Sequence, residues 1–263
     1  MRIESTHSRQ LSRRDFLQVT ALGATSVVAG CAIPGLTDPT ALGSARLLAR
    51  VGTPTTAGPK GLRALGLGDS VADGVVYVPA SYAPGAPAPF VLLLHGAGGT
   101  GADFITRRIP EADATGQILL APDSRRATWD AMNTGHFGPD IVFLDSALRD
   151  TFAKYTIDPR RVAVAGFSDG ATISLALGLA NGDLFARLAA WSPGGLISKQ
   201  RVGKPAVFIS HGVVDPVLPI GATSRVIVPE LRDAGYQVEY REFASEHIVP
   251  DDVLHDSMVW MAT

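Results

Sequence analysis

Apolar residues along the chain fall into short unbroken runs and longer spaced series, and the two patterns alternate. The run Phe90-Val91-Leu92-Leu93-Leu94 carries no polar interruption, which is the pattern of a strand buried on both faces of a parallel sheet. Comparable runs over 117–122, 162–166, 188–191 and 205–210 predict further strands, and 236–243 predicts a last one. Between them lie helical patterns over 102–109, ended by Pro110, and over 171–180, 223–234 and 249–261. The clearest helix is predicted behind Pro139-Asp140, where Ile141, Phe143, Leu144, Leu148 and Phe152 keep helical spacing up to Tyr155. Two short stretches, 62–67 and 74–79, are separated by turn residues and predict an antiparallel opening hairpin. Strands alternating with helices over this length predict an α/β fold with a mostly parallel, doubly wound sheet and its active groups at the carboxyl ends of the strands. His95, Asp123, Ser168, Trp191 and His211 all follow predicted strands.

The first sixty residues lack this alternation. Ser12-Arg13-Arg14-Asp15-Phe16-Leu17 resembles a twin-arginine export signal, followed by a weakly apolar stretch at 19–29 that is too short to span a bilayer. Val28-Ala29-Gly30-Cys31 is similar to a bacterial lipobox, which implies lipidation of Cys31 and attachment at the outer face of a membrane; an ordinary cleaved signal is the alternative. Residues 1–31 are therefore expected to be an export signal and the Pro-, Gly-, Thr- and Ala-rich stretch 32–60 a flexible linker, with a catalytic domain over 61–263.

Composition narrows the chemistry. The formal net charge of −2 over 263 residues argues against a nucleic-acid partner, which normally needs a basic face. A single cysteine excludes an intramolecular disulfide and a cysteine-based metal cluster. No ligand cluster in the sequence demands a metal or organic cofactor.

The strand predicted at 162–166 runs into Gly166-Phe167-Ser168-Asp169-Gly170, a GxSxG pentad, and the helix at 171–180 follows it. A serine in a sharp strand-to-helix turn crowds its neighbours, so glycines two residues away on each side let adjacent backbone approach. Such a turn exposes the hydroxyl and sets it at a helix N-terminus, where the dipole favours developing negative charge.

Three motifs in order carry a resemblance to the α/β-hydrolase superfamily over about three quarters of the chain. They are Leu94-His95-Gly96-Ala97-Gly98-Gly99, the pentad, and Ser210-His211-Gly212-Val213-Val214-Asp215-Pro216-Val217-Leu218-Pro219. The last motif and Ser245-Glu246-His247-Ile248-Val249-Pro250 are similar to the phospholipase/carboxylesterase group, and 138–145 resembles polyhydroxybutyrate depolymerase-like and feruloyl esterase-like members. The resemblance implies an α/β-hydrolase fold, no cofactor and a triad in the order serine, acid, histidine.

On that order Ser168 is the nucleophile, Asp215 the acid and His247 the base. Glu246 is the nearest competitor for the acid, but it adjoins His247 in the chain. His211 precedes the acid and His255 lies inside the final predicted helix. The resemblance places the oxyanion hole at the backbone N–H groups of Ala97 and Asp169, and makes His95 a structural residue of its loop. Asp140 reads as a helix-start carboxylate. Trp129 and Phe137, in the polar loop 124–138, either wall the acyl or alcohol pocket or cap the core. The function implied is hydrolysis of a carboxylic ester, with small-molecule, lipid and polyester substrates all open. Peptidase or thioesterase chemistry on the same scaffold, or a non-catalytic binding lipoprotein, are the alternatives.

Overall fold

A computed structural model describes residues 43–68 and 72–263. The export signal and Cys31 lie outside the described residues. Eight strands among the described residues form one sheet in the order β1-β2-β4-β3-β5-β6-β7-β8. The opening hairpin pairs β1 (Gly61–Ala64) with β2 (Gly74–Val78) antiparallel, and β2 pairs antiparallel with β4 (Ile118–Pro122). From β4 onward every pairing is parallel, through β3 (Ala88–Leu94), β5 (Ile157–Phe167), β6 (Arg187–Trp191), β7 (Ala206–Gly212) and β8 (Val238–Phe243).

Side chains alternate across the strands and feed two separate cores, as a sheet covered on both faces requires. Phe90, Leu92, Val162, Val164 and Ile209 point to one face, and Val91, Leu93, Ala163, Ala165 and Phe208 to the other. The first face is covered by α3 (Asp130–Thr134), α4 (Pro139–Lys154), α5 (Asp169–Ala180) and α6 (Ser224–Asp233). On the second lie α1 (Gly101–Thr106), α2 (Ile109–Thr115) and α7 (Asp251–Ala262). Helix α5 is apolar all round and almost wholly buried, the expected state of a helix with no polar face.

Two local readings are corrected. Pro110 does not end a helix: the predicted stretch divides, and Pro110 stands in the first turn of α2, where its missing N–H costs no helical hydrogen bond. The loop 124–138 contains the short helix α3, closed by Gly135 at φ 70°.

The larger correction concerns the expected linker. Residues 43–60 are not a free tether: Ala45, Leu47 and Ala49 have essentially no exposed surface and belong to the first core. Two buried polar side chains receive this segment. Asn181 accepts the Leu47 N–H at 2.8 Å and donates to the Ala45 carbonyl at 2.7 Å, while Asp145 Oδ1 accepts the N–H groups of Leu48 and Ala49 at 2.6 Å each. Arg46 and Arg50 both pair with Asp183, whose carboxyl these guanidiniums hold well below the usual carboxylate range. Satisfying backbone groups this way lets an irregular strand lie inside the fold.

Leu47 and Leu48 provide the test, since one is buried and its neighbour is half exposed. Leu47→Ala is expected to lower unfolding free energy by about 2–4 kcal/mol, and Leu48→Ala by no more than about 0.5 kcal/mol, in urea denaturation. Equal small effects would mean that the segment is not part of the core.

Candidate active site

Strand β5 lies inside the sheet between β3 and β6, and its carboxyl end turns directly into α5. Ser168 forms that turn with φ 57° and ψ −119°, a conformation that L residues adopt only under constraint. Glycines make the turn possible. A Cβ on Gly166 would lie 2.2 Å from the Gly170 carbonyl oxygen, and one on Gly170 would lie 2.0 Å from that of Leu94. The Ser168 N–H donates to the Trp191 carbonyl at 3.0 Å, which ties the turn to β6. Its hydroxyl caps no amide of the helix.

The two expected oxyanion amides belong to segments that adjoin this turn. Asp169 is the first residue of α5, where a helix leaves its N–H without an intrahelical acceptor. Ala97 is exposed in the loop after β3, which is braced by hydrogen bonds from Gly98 N–H to the Ala127 carbonyl (2.6 Å) and from Gly99 N–H to that of Gly96 (3.1 Å). A Cβ on Gly96 would lie 3.3 Å from the Ser168 Cβ, so this loop abuts the serine.

The acid and base candidates come from the ends of β7 and β8. These loops pack backbone to backbone: a Cβ on Gly212 would fall 2.2 Å from the Glu246 carbonyl oxygen, and Val213 N–H donates to the Phe243 carbonyl at 2.9 Å. His247 Nδ1 is 2.5 Å from Asp215 Oδ2, with the aspartate side chain fully buried and the histidine 14% exposed. Asp215 Oδ1 accepts the N–H groups of Val217 and Leu218 at 2.8 Å each. Burial pushes the Asp215 carboxyl up, but the amides and the His247 contact outweigh it and hold it below its ordinary value. The His247 ring rests on Phe167, with centroids 4.6 Å apart.

His211 completes this cluster. It is fully buried, and its Nε2 lies 2.8 Å from the Leu218 carbonyl oxygen and 3.2 Å from Asp215 Oδ2; Nδ1 lies 2.7 Å from Ser224 Oγ. Burial lowers its pKa, which favours a neutral ring. A neutral imidazole fits these partners when Nε2–H donates to Leu218 and the Ser224 hydroxyl donates to Nδ1. Chain order excludes His211 as the base, and the sequence carries no signal for its contact with the acid.

The remaining candidates lie elsewhere. Glu246 is exposed, and His255 pairs with Glu111 on the surface. His95 is buried; its Nε2 accepts the Ser124 N–H at 3.0 Å, and Nδ1 lies 2.7 Å from the Gly96 carbonyl oxygen. Asp140 accepts the N–H groups of Arg125 and Asp130, a brace for loop 124–138; burial raises its pKa. Neither Trp129 nor Phe137 borders the cavity beside Ala97 and His247. Both are buried in the first core, and Trp129 donates its indole N–H to the His95 carbonyl at 2.9 Å.

A cavity of about 390 Å³ opens instead beside Ala97 and His247, walled by Phe104, Phe167 and Val249 and bordered by Arg108. None of the motifs above pointed to α1 or Arg108 as its wall. Among the described residues, no group of three or more His, Cys, Asp or Glu side chains is arranged to hold a metal ion, and no helix is long and apolar enough to cross a membrane.

A mostly parallel eight-stranded sheet with an antiparallel edge, helices on both faces and a strained serine at the end of an inner strand defines an α/β-hydrolase fold. Residues 143–259 match the phospholipase/carboxylesterase family. Among curated proteins the chain is 30% identical over 154 residues to the probable feruloyl esterase C of Aspergillus oryzae, covering 55% of each. It is 34% identical over 137 residues to a poly(3-hydroxybutyrate) depolymerase of Ralstonia pickettii, covering 43% of this chain and 27% of that one. The chain thus spans about half the length or less of these relatives. Among solved structures, esterase PE8 matches with TM-score 0.60 at 23% identity, covering 72% of this chain and 97% of that one. The fluorophosphonate-binding serine hydrolase F of Staphylococcus aureus matches with TM-score 0.62 at 14% identity, covering 78% and 100%. At these identities the structural likeness speaks to the fold.

The crowding around Ser168 predicts a sharp contrast between glycines. Gly170→Ala is expected to cost about 3 kcal/mol or more, because the Leu94 and His95 carbonyls flank the new methyl group. Gly195→Ala, with nothing within 4 Å, is expected to change stability by less than about 0.5 kcal/mol. Urea unfolding of both variants checks the difference.

Proposed function

We propose that the chain is a serine carboxylic-ester hydrolase working through an acyl-enzyme. Ser168 Oγ attacks the ester carbonyl carbon as His247 Nε2 takes its proton, and the carbonyl oxygen becomes an oxyanion held by the N–H groups of Ala97 and Asp169. Collapse of the tetrahedral species breaks the bond to the alcohol, which leaves with the proton from His247. Water, deprotonated by the same imidazole, then releases the acid and restores the serine. Asp215 holds His247 with Nδ1 protonated, so that Nε2 is free to accept, and it stabilises the imidazolium that forms.

The observation that carries the reading is the 2.5 Å contact between Asp215 and His247, built from loops that also adjoin the Ser168 turn through Phe167. The matches to the phospholipase/carboxylesterase family and to named esterases support the ester class. Most of the cavity's surface is apolar, contributed by Phe104, Phe167, Ile248, Val249 and the stems of longer side chains, which suits an organic ester better than a peptide backbone rich in polar groups.

We also infer export and attachment to a membrane through a lipid on Cys31, from the twin-arginine-like and lipobox-like residues 12–17 and 28–31. A Cys31→Ser variant expressed from the full chain is expected to leave the membrane fraction if that reading holds.

For the chemistry, the wild-type protein is expected to hydrolyse short p-nitrophenyl esters and to be labelled by a fluorophosphonate at Ser168. Ser168→Ala is expected to abolish labelling and lower kcat/KM by at least about 1,000-fold. Asp215→Asn, which favours the wrong imidazole tautomer, is expected to lower it by at least about 100-fold. Folded Ser168→Ala protein with wild-type turnover would overturn the proposal.

A further inference from the structure

Arg108 is a buried cation that the proposed reaction does not use. Only 4% of its surface is exposed, and it borders the same cavity as Ala97, Phe167 and His247. Its Nη1 donates to the Phe104 carbonyl, and its guanidinium lies 3.5 Å from the centroid of the Phe104 ring and 4.9 Å from that of Trp191. The buried Nε has no hydrogen-bond acceptor. No ion pair among the described residues includes Arg108. Burial, with repulsion from Arg107, depresses its pKa to about 9, which still leaves it cationic at neutral pH.

The neighbouring charges do not neutralise it. Arg107 is itself committed to Asp251 at 2.6 Å. Asp103, which also borders the cavity, is exposed on the first turn of α1, and its Oδ2 accepts the Thr100 hydroxyl at 2.8 Å. A desolvated guanidinium without a counter-charge is costly to the folded protein, and an anion that reaches it gains a charge-assisted hydrogen bond where water competes poorly. The stacked rings hold its plane in place before any ligand arrives.

We propose that Arg108 is an anion subsite of the ester cavity, so that the preferred substrates are esters carrying a carboxylate on the acyl or the alcohol side. This inference rests on the serine-esterase reading. Arg108 shares a cavity of about 390 Å³ with His247 and with Phe167, the residue before the serine, so a substrate whose ester lies at the serine would extend its carboxylate along this cavity toward the guanidinium.

Two matched pairs test the proposal and separate the two sides. The p-nitrophenyl monoester of adipic acid is compared with its neutral terminal amide, and p-butanoyloxybenzoate with p-butanoyloxybenzamide. In wild-type protein kcat/KM for the anionic member of at least one pair is expected to exceed that of the neutral member by about 10-fold or more, the range of one charge-assisted hydrogen bond. In Arg108→Met that ratio is expected to fall to about one, and Arg108→Lys is expected to recover part of it. Should the methionine variant not fold, competitive inhibition of wild-type neutral-ester hydrolysis by adipate or benzoate, and not by the corresponding amides, supports the subsite. Ratios at or below one in both pairs, or a preference that survives in folded Arg108→Met, overturn it while leaving the esterase intact. Failure of every ester and of fluorophosphonate labelling overturns the esterase reading, and this inference with it.

Discussion

The structure depends on one crowded crossing, where the end of β5, the start of α5 and the end of β3 meet within contact distance. A single added methyl on Gly166 or Gly170 would collide with main-chain oxygen, and main chain cannot step aside as a flexible side chain can. That closeness forces Ser168 into a positive φ, and the same closeness sets the loop after β3 against it. The serine, the first residue of α5 and the start of the loop after β3 are therefore held close together by the geometry of the sheet. The long interior strands supply the stiffness, since β3 and β5 pair in register from Phe90 opposite Val162 to Leu94 opposite Gly166.

Around this unit the protein treats its buried charges in two ways. Asp215 is surrounded by donors, two amides and His247, with the His211 ring 3.2 Å away. Its charge is stabilised within the fold, so it is available to orient an imidazole without needing a ligand. Arg108 is given one carbonyl and two ring faces, and no opposite charge. A fold that neutralised every buried charge would leave nothing in the cavity to distinguish an anionic ligand from a neutral one. The residual imbalance at Arg108 is thus a property of the cavity wall and not of the relay that would carry out chemistry.

Much of the architecture was legible because it follows from local pattern. The unbroken runs that predicted β3 to β7 are buried on both faces, while β8 at the sheet edge, with its polar residues, has no buried residue; the helical spacing behind Pro139 became α4, Pro139–Lys154. What the pattern missed has a common physical origin in distant partners. The segment 43–60 has no period, yet it is held by Asn181 and Asp145, whose receiving groups lie more than ninety residues away along the chain. Pro110 read as a stop because its ring ends helices from within, whereas the chain breaks two residues earlier and uses it to begin again.

The same division applies to the site. Ser168, Asp215 and His247 could be nominated because each stands in a short loop directly after a strand or in a named motif, and a parallel sheet brings those ends to one edge. The pocket could be read only in part: Ala97, Phe167, His247 and Val249 on its wall stand in the quoted motifs, whereas Phe104 and Arg108 come from α1 and the turn after it, which no motif marks. Trp129 and Phe137 are aromatic residues in a polar loop and so resembled pocket walls, but the loop folds inward over the first core and its carboxylates, Asp130 and Asp140, bind its own amides. The aromatic wall is instead Phe167 and Phe104, the latter on a helix of six residues with Arg108 following one turn later. Ligand preference in such a fold is set by short segments between strands and helices, which explains why the reaction class is easier to read from sequence than the substrate.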